Sequence, residues 1–178
     1  MPNDPLCELI HPAQPTAQRI AALVQAKQLS IATAESCTAG RLATALTRVP
    51  GASEWFRAGI VAYTPRMKAQ LLQVPPALIE RDGVVSASVA ALMAIGALQT
   101  ARATVALSST GYTGPGGGTP AEPVGSVWCA TALVLPGEAA PTVFTKHLFF
   151  SGSRDQIADL AAQAILSFGY ETLRKAYC

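Results

Sequence analysis

The chain has 178 residues, half of them apolar and only 13% charged. That is the length of one domain with far less charged surface than the roughly 25% of an average soluble protein, so extensive burial and a subunit interface are expected. A net charge of +2 without a basic run leaves no electrostatic footprint for nucleic acid, and the most apolar stretch, residues 84–98, is broken by Ser86 and Ser88 and falls short of the roughly 20 residues a bilayer requires.

Taken in order, residues 1–15, MPNDPLCELIHPAQP, contain four prolines and neither a basic nor an apolar leader-like block. An irregular arm over 1–14 ahead of a single domain over 15–178 is expected. Residues 16–27 place Ile20, Leu23 and Val24 on one helical face, and a strand over 29–34 follows at once. This strand delivers Glu35, Ser36 and Cys37 to a helical pattern in which Ala39, Leu42, Ala43 and Leu46 share a face. After a loop at 49–53, a strand over 55–63 ends at Tyr63, and Thr64-Pro65 reads as an N-cap followed by a proline at the first helical position. Lys68 lies on the first full turn of that helix. A short helix over 74–82 closes at Gly83, Ser86 caps an apolar helix over 87–101, and a β-rich run over 104–110 enters the loop GYTGPGGG at 111–118. Residues 125–135 and 142–150, joined through Pro136-Gly137, read as a hairpin, and Ser153 with Gln156 reads as a capping box opening a last helix.

Helix–strand alternation followed by a hairpin predicts an α/β fold, a three-layer α/β/α domain with a mixed sheet. Ligands in such sheets bind beyond the carboxyl ends of strands, and the stretches 35–38, 63–68 and 110–118 all occupy strand ends, so they are candidates for one pocket.

The residue types narrow the chemistry. His11 lies in the arm and His147 in a strand pattern, so a Ser-His-Asp triad is not favoured. No His/Cys/Asp/Glu cluster has metal-ligand spacing, so neither metal nor cofactor is expected. Cys7, Cys37, Cys129 and Cys178 are scattered without C-x-x-C, which leads to the expectation of reduced thiols in the cytoplasm. Ser36 is open to two readings, a nucleophile at a strand-to-helix turn or an N-cap. Lys68 is either a solvated helix residue or a base whose pKa falls from about 10.4 towards 7–8 through burial or the neighbouring cations Arg41 and Arg66. Cys37 is a rival nucleophile or a packing residue. The glycine loop lacks both the Gly-Lys-Ser/Thr ending and G-x-G-x-x-G, so it is either a flexible turn or a backbone cradle for phosphate, with Arg154 as a further phosphate or carboxylate contact.

Taken together, TAESCTAG, the Tyr63-x4-Lys68 spacing, TGYTGPGGGTPAEPVGSVW and the late Ser-Gly-Ser-Arg resemble the CinA C-terminal domain family, the nicotinamide-nucleotide amidases also called PncC. The resemblance runs from about Thr16 to Tyr177. It implies a compact α/β fold with hydrolase activity, located in the cytoplasm, frequently dimeric and metal-free. Its reaction is deamidation of nicotinamide mononucleotide to nicotinate mononucleotide and ammonia in pyridine nucleotide salvage. Carried over residue by residue, it makes Ser36, Lys68 and Tyr63 catalytic. The N–H groups of Cys37 and Thr38 are then expected to form an oxyanion hole because they would open the helix. Thr110, Gly111, Gly114, Gly116, Gly117 and Arg154 are expected to hold the nucleotide's phosphate. Ala39, Pro65, Tyr112, Thr113 and Ser153 depart from the family pattern and bear on substrate preference. The alternative is a catalytically weak paralogue acting as a nucleotide-binding regulatory protein.

Overall fold

The computed structural model describes residues 14–178. All but the last residue of the expected arm lies outside them. The chain forms α1 (Thr16–Ala26), β1 (Ile31–Glu35), α2 (Arg41–Thr47), a 3-10 turn (Ala52–Glu54), β2 (Phe56–Val61), α3 (Pro65–Leu72), α4 (Pro76–Asp82), α5 (Ala87–Ala101), β3 (Val105–Gly111), β4 (Ser126–Leu133), β5 (Thr142–Phe149) and α6 (Arg154–Tyr177). The sheet order is β2-β1-β3-β4-β5. β1 runs parallel to β2 and β3, while β4 is antiparallel to both β3 and β5, so the expected mixed sheet and hairpin are present.

Side-chain alternation sorts the two faces. Ile31, Val105 and Leu107 join Ile20, Leu23, Leu42, Leu46, Ile165 and Leu173 in a core beneath α1, α2 and α6. On the opposite face Ala32, Ala34, Ala106, Ala130 and Ala132 present a shallow surface on which Val89, Met93 and Ala97 of α5 pack. Because α5 lies between this face and α3, it is apolar nearly all round. At Gly96 it approaches so closely that a Cβ would fall 2.1 Å from the Leu72 carbonyl. The result is the expected three-layer α/β/α arrangement.

Local signals set most boundaries. Thr64 and Ser86 cap through Met67 N and Val89 N, and Ser153 with Gln156 forms the capping box. The β4–β5 connection occupies residues 134–141, longer than the Pro136-Gly137 turn suggested, because pairing ends at Leu133 and Thr142. Cys37 and Cys129 are buried free thiols, but Cys178 is disulfide-bonded, so the expectation of reduced thiols throughout is not met. Spacing along a chain does not report which sulfurs meet in space. No described helix is long and apolar enough to cross a membrane, and no group of three metal-ligating side chains forms among the described residues.

Candidate active site

β1 and β3 run in register, Ile31 beside Val105 and Glu35 beside Ser109, so both release their chains at the same edge of the sheet. Ser36 continues the ladder by one residue, its N–H donating to the Ser109 carbonyl at 3.0 Å. The turn after it is built around Glu35, a fully buried carboxylate. Its oxygens accept from Thr33 Oγ1 (3.1 Å), Thr38 Oγ1 (2.7 Å), Gly40 N (2.9 Å), Leu42 N (3.0 Å) and Ala43 N (2.8 Å). A negative charge thus sits against the positive end of α2 and satisfies its orphan N–H groups.

This corrects one expectation. Cys37 and Thr38 do not open the helix, which begins at Arg41 after a tight turn with Ala39 at φ 48° and Gly40 at φ 93°. Among the described residues neither N–H bonds to another residue, that of Cys37 lying against its own thiol, whereas Glu35 takes those of Gly40, Leu42 and Ala43 and the Thr38 carbonyl takes that of Arg41. Glu35 was not singled out from sequence, although a carboxylate a few residues ahead of a helical pattern is the available signal. Glu35→Ala is expected to cost more than about 3 kcal/mol in urea unfolding, because it removes charge-assisted bonds and leaves several buried donors unpaired.

Lys68 is the fourth residue of α3 and points inward with no exposed surface. Its Nζ donates to Ser36 Oγ at 2.7 Å and to the Ala62 carbonyl at 2.9 Å. Burial pulls its pKa from the ordinary 10.5 down to about 8, against a smaller opposing pull from Cys37. Arg41 plays no part in that shift, being turned towards Asp155 and Asp159. The solvated reading of Lys68 therefore fails. Cys37 is the converse case: burial pushes its thiol up to about 11, so it stays protonated at neutral pH and packs in the core beneath α2.

A cavity of about 240 Å³ opens in front of this pair, lined by Ser36, Cys37, Tyr63, Lys68, Thr110, Gly111, Gly114, Gly116 and Arg154 together with Pro65, Val84, Val85, Tyr112 and Thr113. Thr38 and Gly117 do not line it; Gly117 lies behind the Tyr112 ring, which would stand 3.4 Å from a Cβ there. Thr110 Oγ1 donates to the Val84 carbonyl at 2.7 Å. Arg154 Nη1 donates to the Gly114 carbonyl at 2.6 Å, and Nη2 donates to the Tyr63 hydroxyl. Tyr63 thus faces Arg154 at the mouth, while Lys68 is bonded to Ser36 and Ala62. A larger cavity of about 420 Å³ beside α1, α2 and α6 has Arg48 as its one titratable lining residue and no nucleophile–base pair. The smaller cavity is the one that contains the hydrogen-bonded Ser36–Lys68 pair. His147 is on edge strand β5, paired with Glu122 at 3.1 Å and stacked on Trp128 at 4.8 Å. With β3 and β4 between β5 and β1, strand spacing puts it about 14 Å from β1, out of reach of Ser36.

Comparison with known proteins places this arrangement. A CinA-like protein from Mycolicibacterium paratuberculosis is 49% identical over 129 residues, 72% of this chain and 30% of the relative. One from Citrifermentans bemidjiense is 42% identical over 150 residues, 84% of this chain and 35% of the relative. The chain spans about a third of the length of these curated relatives. Among solved structures, the competence/damage inducible protein CihA from Agrobacterium tumefaciens superposes with a TM-score of 0.81 at 34% identity, covering 89% of this chain and 93% of that one. A competence-damaged protein (CinA) superfamily protein from Escherichia coli gives 0.80 at 31% identity, covering 96% and 98%. The model of the CinA C-terminal domain matches residues 13–173, and with these relatives it shows that the chain belongs to the CinA C-terminal domain family.

Proposed function

We propose that the protein hydrolyses nicotinamide mononucleotide to nicotinate mononucleotide and ammonia through an acyl-enzyme. The observation that carries this reading is a fully buried lysine, its pKa lowered to about 8, hydrogen-bonded at 2.7 Å to a serine at a strand end. Neutral Lys68 takes the Ser36 proton as Oγ attacks the carboxamide carbon. The tetrahedral oxyanion is assigned to the N–H of Cys37, which lines the cavity, and not to that of Thr38, which lies outside it. The ammonium of Lys68 then protonates the departing nitrogen, which leaves as ammonia. Water attacks the resulting ester, Lys68 takes its proton, and Ser36 is restored.

Arg154 and the glycine loop are assigned to the 5′-phosphate. A guanidinium whose present partners are neutral oxygens, the Gly114 carbonyl and the Tyr63 hydroxyl, gains a stronger partner in a phosphate dianion. Drawing Arg154 onto the phosphate releases the Tyr63 hydroxyl, which lines the same cavity as Lys68 and is assigned the relay of protons. A homodimer is part of this reading, supported by the low charge content and by Phe144 and Phe149 exposed on edge strand β5.

Ammonia release from nicotinamide mononucleotide is the direct test. Binding of the nucleotide without release would favour the regulatory alternative. Because the neutral amine is the active form, kcat/KM is expected to rise with pH to a plateau above about 8, about a tenth of Lys68 being neutral at pH 7. A profile flat between pH 6 and 9 would remove Lys68 as the base. Arg154→Lys is expected to reduce turnover of the nucleotide at least tenfold more than that of free nicotinamide, since an ammonium does not reproduce the paired donors of the guanidinium. Equal losses on the two amides would place phosphate recognition elsewhere.

A further inference from the structure

We propose that Arg41 is a positioning residue that holds the turn after Ser36 and the Arg154 end of α6 in one register, so that contact with the substrate's phosphate is felt at the scissile amide. The proposal rests on the reading of Arg154 as the phosphate contact.

Arg41 is the first residue of α2 and does not line the cavity that holds Ser36. Its guanidinium reaches three acceptors on two separate parts of the site. One Nη donates to the Thr38 carbonyl at 3.3 Å, two residues beyond Ser36. Nε donates to Asp159 Oδ1 at 2.6 Å, and the other Nη to Asp155 Oδ1 at 3.0 Å. Asp155 immediately follows Arg154, and the capping box of Ser153 and Gln156 fixes this first turn of α6. A continuous path therefore runs from the nucleophile turn through Arg41 to the helix start that carries Arg154, and through Arg154 back to Gly114 and Tyr63 at the cavity mouth.

As a device for folding the arrangement contributes little. The Arg41 side chain is 31% exposed, Asp155 87% and Asp159 61%, and ion pairs so open to water are strongly screened. As a register lock it has the right form. The fork directs donors along fixed vectors, so α2 cannot slide along α6 without breaking at least one bond, and a lysine cannot span the same acceptors. Phosphate binding accelerates amide attack only if the two ends of the substrate are held by parts of the protein that do not move independently.

The test compares nicotinamide mononucleotide with nicotinamide riboside, which lacks only the phosphate, on the full chain. Wild type is expected to turn over the nucleotide with the higher kcat. In Arg41→Gln, kcat on the nucleotide is expected to fall about tenfold, within the 10²-fold that a 1 Å displacement can cause, while the riboside rate is unchanged. Arg41→Lys should not restore it. The double variant Asp155→Asn/Asp159→Asn should reproduce the loss from the other side, and combining it with Arg41→Gln should add nothing further. A wild-type phosphate advantage retained in both Arg41→Gln and the Asp155/Asp159 variant overturns the proposal, and equal losses on both substrates overturn it by placing Arg41 in the nucleophile turn alone. A wild type that does not distinguish the two substrates overturns the phosphate reading itself and the coupling with it.

Discussion

Ser36→Ala is expected to lower ammonia release from nicotinamide mononucleotide by about 10³-fold or more while leaving nucleotide binding measurable by calorimetry. The size of the effect follows from what remains. Cys37 is adjacent and intrinsically the better nucleophile, but burial holds its thiol at about 11, so almost none is ionised at neutral pH. Lys68 keeps the Ala62 carbonyl as a partner at 2.9 Å, so the cavity survives without the serine hydroxyl. The groups assigned to the phosphate, Arg154 and the glycine loop, are untouched by the change. Activity retained in Ser36→Ala together with activity lost in Cys37→Ala would transfer the nucleophile to the cysteine.

The second large effect is a trade. Lys68→Met should abolish turnover and at the same time make the protein more resistant to thermal unfolding at pH 6. In the unfolded chain Lys68 titrates at its ordinary 10.5, and in the folded protein at about 8. Below pH 8 both states hold the proton, and the folded state carries the full cost of a buried ammonium, about 3 kcal/mol for a shift of this size. Between pH 8 and 10.5 the unfolded chain binds more protons than the folded one, so wild-type stability rises with pH and the cost disappears. Methionine removes the charge but leaves the Ala62 carbonyl without its donor, which returns about 1–3 kcal/mol. The net gain at pH 6 is therefore on the order of 1 kcal/mol, a few degrees in Tm for a domain of this size, and it should shrink and then reverse as the pH approaches 10. Melting temperatures of the two proteins at pH 6 and pH 9.5 test this. A difference independent of pH would mean that Lys68 is not charged at a cost in the folded protein.

What could be read from the chain alone is what depends on a few consecutive residues. The caps at Thr64, Ser86 and Ser153 close bonds to N–H groups three residues on, and such bonds follow from local spacing. The strand pattern at 29–34 and the helical face of Ile20, Leu23 and Val24 are likewise local, and with the helix–strand alternation they indicate a layered α/β domain. Ser36 and Lys68 were brought to one sheet edge by that reading, but their roles stayed open in the residues themselves because the deciding quantities are not local. Lys68 acquires a lowered pKa only when α3, held against α5 at Gly96, drives its amine into a site with no exposed surface, 32 positions from the serine it meets. Glu35 displaces the start of α2 to Arg41 because a buried carboxylate must be satisfied, and the donors that satisfy it are gathered by the turn it organises. Tyr63 is turned to Arg154, 91 positions away, and Arg41 to Asp159, 118 positions away. Those pairings exist because α6 packs back over the beginning of the domain, which is a property of the sheet order β2-β1-β3-β4-β5 and not of any stretch of residues. Local hydrogen-bond geometry is carried by neighbouring residues in the chain, whereas burial, pKa and long-range charge pairing are fixed only when distant segments exclude water together.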